Sequence, residues 1–237
     1  MSTHTVAMHM SDGIVNAPTS LMFGVIAIVA LGLCVWKARS ELDERTVPLA
    51  GLVAAFIFAV QMVNFPILPG VSGHLLGGAL AAILVGPYTG ALCVAIVLVV
   101  QALLFADGGV TALGMNIVNM AIIGVVAGYG TAVVIYSGVR SSARWRADAL
   151  PVRIIGVIAF IAGLVGTVFA AMGFVLEYAI GGAAPSSLGS VAGYMLVTHA
   201  LIGIGEGVIT AVTVMAVARA RPDLVHLLRR HPAEAAV

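Results

Sequence analysis

The chain has 237 residues, of which 61% are hydrophobic and 9% are charged, with a mean hydropathy of +1.14. Because a soluble domain carries about 25% charged residues, this chain cannot cover itself with a surface that water wets. A formal net charge of +1, with no basic cluster interleaved with aromatic residues, excludes a nucleic-acid-binding surface. We therefore expect an all-α integral membrane protein.

Seven apolar runs predict seven transmembrane helices, although the third is short for a span of about 20 residues. The runs are Leu21–Trp36, Val47–Val63, Leu75–Val85, Gly90–Phe105, Asn116–Ile135, Ile154–Tyr178 and Val191–Ala218. No internal repeat is evident, so the sequence gives no support to an inverted-repeat transporter.

All 11 basic residues lie in the connection after the first run, in the connection before the sixth, or in the C-terminal tail. With seven spans these regions share one side of the membrane, which the positive-inside rule identifies as the cytoplasm. We therefore expect an external N-terminal segment (1–19), a seven-helix membrane domain (20–220) and a cytoplasmic tail (221–237).

Small side chains suggest how the helices pack. Cys34 and Cys93 lie within apolar runs, which favours small packed hydrophobic side chains over a disulfide or a metal pair. Pairs of small residues at four-residue spacing predict close helix contacts, and the alanine face of the second helix could instead dock a partner membrane protein. These pairs are Ala50 and Ala54, Ala55 and Ala59, Gly73 and Gly77, and Gly124 and Gly128.

Three of the six histidines lie in the last span or the tail. His226 and His231 belong to the charged tail, and we expect both to be solvated. His199 and Glu206 are seven residues apart, on roughly the same face of the last helix. An ionisable group inside a span suggests function, but a hydrogen-bonded pair or an interhelical polar contact is an equally open explanation.

The other three histidines, His4, His9 and His74, are predicted to be external. His74 ends a turn rich in Pro and Gly (64–74), whose unpaired backbone groups need shielding by protein or water within a membrane. The N-terminal segment is polar, then apolar, with a turn signal at Asp12–Gly13, and is short enough to fold back into the mouth of the bundle. Imidazole suits zinc, copper, iron and nickel.

These motifs resemble the CbiM/NikM family, the substrate-capture (S) components of energy-coupling factor transporters for cobalt and nickel. The family start is similar to Met8-His9-Met10-Ser11-Asp12-Gly13. The resemblance continues through Gln61–Gly78, Leu104–Gly114 with Asn116 and Asn119, and His199 to Thr210. It implies a seven-helix S component whose N-terminus plugs the substrate site from outside.

The resemblance also implies a ligand set, carried over onto three residues. The metal would be held by the terminal amine of Met8, by the backbone nitrogen and imidazole of His9, and by His74. Four nitrogens in a plane favour nickel, although the family transports either cobalt or nickel. Candidates of the right type to orient the imidazoles are Ser72, Asn116 and Asn119, with a structural role equally open for each.

This sequence begins seven residues before Met8. If residues 1–7 remain, Met8 has no free amine and the chelate loses a ligand. Either translation starts at Met8, or the segment is trimmed, or the site differs, and we expect translation to start at Met8. If only Met1 is removed, Ser2-Thr3-His4 would form a different square-planar trap.

The sequence contains no Gly-rich nucleotide-binding loop with Lys-Ser/Thr, which favours a transport subunit over an enzyme. The resemblance supplies the partners: a transmembrane coupling (T) component and two cytoplasmic ATPases, often with a small accessory membrane subunit. It implies a multi-pass protein of the bacterial inner membrane that carries Co²⁺ or Ni²⁺ for cobalamin or nickel-enzyme biosynthesis, without a prosthetic group.

Two other functions are alternatives for this sequence. The first is a stand-alone secondary transporter or channel for a divalent cation, with His199 and Glu206 as a proton relay. The second is an intramembrane metalloenzyme, which the absence of a His-Glu-x-x-His motif disfavours.

Overall fold

The computed structural model describes residues 9–63, 65–68, 71–142 and 150–229. Helices dominate the described chain, as the composition predicts, and they run as follows: α1 Ala17–Ala38, α2 Thr46–Gln61, α3 Gly78–Val85, α4 Pro87–Leu104, α5 Leu113–Asn116, α6 Val125–Ser141, α7 Val152–Gly181, α8 Leu188–Ala220 and α9 His226–Arg229. A π-helical stretch, Ile117–Gly124, joins α5 to α6, and a 3₁₀ turn, Pro222–Leu224, precedes α9.

Each of the seven predicted apolar runs contains a helix. Within the residues that the structure describes, five helical segments are long and apolar enough to cross a membrane: α1, α4, the continuous segment from α5 through α6, α7 and α8. The other two are shorter, since α2 has 16 residues and α3 has eight. An eight-residue helix is about 12 Å long, well under a hydrocarbon core of about 30 Å.

Two glycines set the limits of α3. Gly77 before it and Gly86 after it have φ angles of +80° and +102°, a region that glycine enters more readily than other residues. A Cβ on Gly77 would lie 2.8 Å from Ile57, so the chain reverses in close contact with α2. Every residue of α3 is buried, which places this short helix at the centre of the bundle.

The turn predicted over residues 64–74 contains two short antiparallel strands, in a chain whose described residues are otherwise mainly helical. β1 (Phe65–Leu68) pairs with β2 (Val71–Gly73), with Phe65 opposite Gly73 and a register shift between Pro66 and Leu68. The strands give the backbone groups of this irregular segment hydrogen-bonding partners, which a membrane interior requires.

Glycines also bring the long helices together. A Cβ on Gly163 of α7 would lie 3.1 Å from the Cα of Gly207 of α8, and one on Gly166 would lie 2.8 Å from the carbonyl oxygen of Gly124. The predicted pair Gly124 and Gly128 therefore serves internal packing. Cys34 and Cys93 are both buried and free, as expected.

The tail does not behave as predicted, because His226 is buried rather than solvated. Its side chain is 9% exposed, and its ring lies 6.1 Å from that of Tyr129 between centroids. The apolar neighbours Val225 and Leu227 are also buried, so the short α9 is drawn against the bundle. His231 lies outside the described residues.

Candidate functional site

The segment carrying His74 leaves β2 in a non-helical conformation and reaches α3 four residues later. His74 is 7% exposed, and its Nδ1 lies 2.8 Å from the carbonyl oxygen of Leu75. Glu206 of α8 accepts hydrogen bonds from the backbone N–H groups of Leu76 (2.9 Å) and Gly77 (2.8 Å). Gln61 at the end of α2 donates to the Leu76 carbonyl at 2.7 Å. Side chains of two helices thus hold this segment in place.

The N-terminal segment lies against the loop between α4 and α5. Gly109 N–H donates to the Met10 carbonyl at 2.9 Å. Asn116 binds the same residue twice, accepting from Met10 N–H at 3.1 Å and donating to its carbonyl at 3.2 Å. Asp12 accepts from both the backbone N–H and the hydroxyl of Thr111. These contacts tie residues 9–12 to the bundle.

The segment then enters α1 beside the end of α7. Val15 forms an isolated antiparallel bridge with Gly182, and Asn16 N–H donates to the Gly181 carbonyl at 2.8 Å. The Asn16 side chain caps α1 by accepting from Thr19 N–H at 3.0 Å. Gly13 has a φ of +82°, so the predicted Asp12–Gly13 turn is present.

The contacts of the His74 segment and those of the N-terminal segment bring His9 and His74 together. Their ring centroids are 4.6 Å apart with the planes tilted by 51°, and both side chains are buried. Asp107, also buried, places its Oδ1 3.3 Å from His9 Nδ1. His74 and Asp107 thus both lie beside the buried ring of His9, and imidazole is a ligand that suits zinc, copper, iron and nickel.

The close approach of the Asp107 loop depends on Gly108. Its φ is +89°, and a Cβ there would lie 2.8 Å from the Cβ of His9. The residue before Asp107, Ala106, also has a positive φ, +52°. The loop is thus sharply folded where it meets His9.

The other predicted site residues are placed as follows. Met8 lies outside the described residues, and Ser72 lies in β2 opposite Pro66. Asn116 reaches the backbone next to His9, whereas Asn119 donates to Glu177 of α7 at 2.6 Å. Among the residues that the structure describes, no group of three or more His, Cys, Asp and Glu side chains is arranged to hold a metal ion.

Sequence reasoning missed two residues around these histidines, Asp107 and Gln61, and gave a third, Glu206, the wrong partner. Asp107 lies in the motif Leu104–Gly114, and an acidic group in an external loop was the available signal. Gln61, at the end of an apolar run, gave only a weak signal. Glu206 was noticed but was paired with His199, whereas its two hydrogen bonds go to the backbone before α3.

His199 is bound within its own helix. Its Nδ1 lies 3.0 Å from the Met195 carbonyl and 3.2 Å from the Thr198 hydroxyl. For Glu206, the structure shows a polar contact between α8 and the non-helical segment before α3, and not a hydrogen-bonded pair with His199.

Comparison with known proteins gives the chain its family context. A "Putative fused nickel transport protein NikMN" of Archaeoglobus fulgidus is 42% identical over 218 residues, covering 92% of this chain and 68% of the relative. A "Cobalt transport protein CbiM" of Sorangium cellulosum is 30% identical over 229 residues, covering 94% of this chain and 96% of the relative.

A solved structure has the same fold. The "Crystal Structure of an Truncated Transition metal Transporter" matches with a TM-score of 0.78 at 28% identity, covering 90% of this chain and 99% of that chain. The family model described as "Cobalt uptake substrate-specific transmembrane region" matches residues 9–224. This match extends from His9 to the end of the 3₁₀ turn, and the chain therefore belongs to the CbiM family of multi-pass membrane proteins.

Proposed function

We propose that this chain is the substrate-specific membrane subunit of an ATP-driven importer of cobalt or nickel. It captures the divalent ion on the external side and releases it inside, for cobalamin or nickel-enzyme biosynthesis. The observation that carries this proposal is the meeting of His9 and His74, two buried imidazoles 4.6 Å apart between ring centroids. The relatives named for nickel and cobalt transport support the same substrate class.

Met8 completes the proposed site. Its amine, the backbone nitrogen and imidazole of His9, and the imidazole of His74 would give four nitrogen ligands, a set that suits Ni²⁺ and low-spin Co²⁺. Asn116 supports this arrangement by holding the Met10 backbone next to His9. Deprotonation of the ligands on binding makes the affinity depend on pH.

The proposed topology has seven spans, with the N-terminus outside and the C-terminus in the cytoplasm. Contacts at both ends of the bundle support it. Asp43 and Arg45, between α1 and α2, lie 3.8 Å and 3.9 Å from Arg229 and Asp223 near the C-terminus. At the other end, the N-terminal segment meets the end of α7 at Gly182. The two groups of contacts lie on opposite ends of α1.

The partners in this proposal are a T component, two cytoplasmic ATPases and a small accessory membrane subunit. The stand-alone alternative would use His199 and Glu206 as a proton relay. The hydrogen bonds of His199 to Met195 and of Glu206 to the backbone before α3 give that relay no support.

The test is metal binding by the purified mature protein in detergent, measured by equilibrium dialysis against Ni²⁺ and Co²⁺. We expect wild type to retain either ion and His74→Ala to lose more than about 100-fold in affinity, beyond what an outer hydrogen-bonding partner typically contributes. His199→Ala is the matched control, since it removes a half-buried imidazole of α8 that binds its own helix. Normal retention by His74→Ala would refute the site.

A further inference from the structure

One peptide group connects Glu206 to the ring of His74. The carbonyl of Leu75 lies 2.8 Å from His74 Nδ1, and because a carbonyl oxygen only accepts, Nδ1 carries the proton and donates. The N–H of Leu76 belongs to the same peptide group and donates to Glu206 Oε2 at 2.9 Å. A peptide group is planar and rigid. The carboxylate of Glu206 and the imidazole of His74 therefore bind opposite sides of the same rigid group.

The direction of these hydrogen bonds decides which imidazole nitrogen can bind a metal. A neutral imidazole has one N–H and one lone pair, and a partner at one nitrogen fixes the tautomer. With the proton on Nδ1, the lone pair of His74 lies on Nε2. Metal-binding histidines commonly have their other ring nitrogen held in this way, and such partners orient the ring and raise its basicity.

Two further hydrogen bonds, made by Glu206 and Gln61, keep this peptide group from rotating. The second oxygen of Glu206 accepts from Gly77 N–H at 2.8 Å, and Gln61 donates to the Leu76 carbonyl at 2.7 Å. Glu206 and Gln61 are 3% and 0% exposed, so water does not compete for these bonds. A buried non-helical segment needs such partners for its backbone groups.

We propose that Glu206 is a positioning residue for His74: it fixes the Leu75–Leu76 peptide, whose carbonyl accepts from Nδ1 of the imidazole and so leaves on Nε2 the lone pair that would bind the transported ion. The inference rests on the proposed function, since it takes His74 as a ligand of Ni²⁺ or Co²⁺. Glu206 itself touches the backbone and not the ion.

The first test is the Ni²⁺ affinity of the mature protein, measured by competition with a chromogenic chelator. Glu206→Gln places an amide NH₂ against one of two backbone donors, and we expect it to weaken the affinity about 10–100-fold. Glu206→Asp keeps both acceptor oxygens on a shorter side chain and should recover part of the loss.

Glu41 provides a matched control. It is another buried carboxylate (7% exposed) that accepts from two successive backbone N–H groups, those of Tyr88 at 3.3 Å and Thr89 at 2.7 Å. Glu41→Gln disturbs the same kind of contact with backbone N–H groups at the start of α4, away from His74. We expect its Ni²⁺ affinity to match wild type.

The second test reads the tautomer directly from the imidazole nitrogen chemical shifts of His74 in metal-free protein, assigned by comparison with His74→Ala. Wild type should show protonated Nδ1, and Glu206→Gln should shift the population toward protonated Nε2. A purely structural role for Glu206 would not move this tautomer.

The outcomes separate the two proposals. Wild-type affinity and an unchanged tautomer in Glu206→Gln would overturn the positioning role, as would a wild-type His74 protonated at Nε2. If Glu206→Gln does not insert into the membrane, the Ni²⁺ affinity of Glu206→Asp and the His74 tautomer in wild type test the positioning role instead. A wild-type protein that binds neither Ni²⁺ nor Co²⁺ would instead overturn the proposed function.

Discussion

The imidazole rings of His9 and His74 lie 4.6 Å apart between centroids, although one precedes the first helix and the other follows the second. Each is delivered by a non-helical segment that enters a helical bundle. Asn116 holds the backbone next to His9, and Glu206 holds the backbone after His74. The pair therefore depends on side chains from helices that are distant in sequence, which is why its geometry can be tested by mutation at a distance.

The N-terminal residue is the first point to test. A chain that begins at Met8 has a free amine next to His9, whereas a chain that keeps residues 1–7 has an amide there. We expect the chain starting at Met8 to bind Ni²⁺ more tightly, because amine and amide nitrogens of adjacent residues close a chelate ring around a metal that favours planar nitrogen ligands.

The measurement is a Ni²⁺ competition titration on both purified forms, with their intact masses recorded. The same truncation in a His74→Ala background is the control and should gain little. Equal affinities for the long and short chains would mean that the Met8 amine is not a ligand.

A substitution at Gly108 tests how closely the loop that contains Asp107 packs on His9. At φ +89°, an alanine is strained by roughly 1–2 kcal/mol, and its Cβ would lie 2.8 Å from that of His9. Gly108→Ala should therefore displace His9 and weaken Ni²⁺ binding, as measured by the same titration. Gly130→Ala in α6 is the control, because a Cβ there meets open space. Similar affinities in the two variants would contradict the packing of this loop on His9.

Asp12 fastens the N-terminal segment to Thr111. The Thr111 hydroxyl holds the pKa of Asp12 below its ordinary value of 3.8, against a smaller opposing effect of burial. Because the pKa is lowered by folding, the stabilisation is fully present above pH 3.8 and is lost as the pH falls through the lower, folded-state pKa. Asp12→Ala removes this attachment at every pH, so Ni²⁺ affinity at neutral pH should fall by roughly threefold to tenfold.

Asp43 is the control for that variant. Its pKa is also lowered, first by the hydroxyl of Thr46, but it lies in the connection between α1 and α2. Asp43→Ala should leave the Ni²⁺ affinity unchanged. A similar loss in both variants would point to general destabilisation rather than to anchoring of His9.

The sequence predicted the helices better than the contacts between them. Long apolar runs identify α1, α4, α7 and α8 because every backbone group in a lipid environment must be paired within the segment. The eight-residue length of α3 was less accessible, since it depends on positive φ angles at Gly77 and Gly86 and on the approach of Ile57. The strands next to it depend on pairing across Pro66 and Ser72, which apolar periodicity does not reveal.

In the candidate site too, the sequence predicted individual residues better than the contacts between them. His9 and His74 stood out because they lie in motifs, and the structure brings them together. Glu206 could not be assigned from sequence, because its partners are backbone groups far away in the chain. His226 was placed in solvent because charged residues surround it, yet the apolar Val225 and Leu227 beside it draw the tail onto the bundle.

The buried tail leads to a prediction about stability. His226 is 9% exposed and lies 6.1 Å from Tyr129 between ring centroids. His226→Ala should lower the free energy of unfolding by about 1–3 kcal/mol, the usual range for loss of buried contacts, while leaving Ni²⁺ affinity unchanged. The measurement is thermal unfolding in detergent with a parallel metal titration.

Arg219→Ala, at an exposed position in the last turn of α8, is the control and should have little effect. Equal unfolding temperatures for His226→Ala and wild type would mean that the tail does not pack as the structure shows, whereas a large loss of Ni²⁺ affinity would place the metal site nearer to α9 than to His9 and His74.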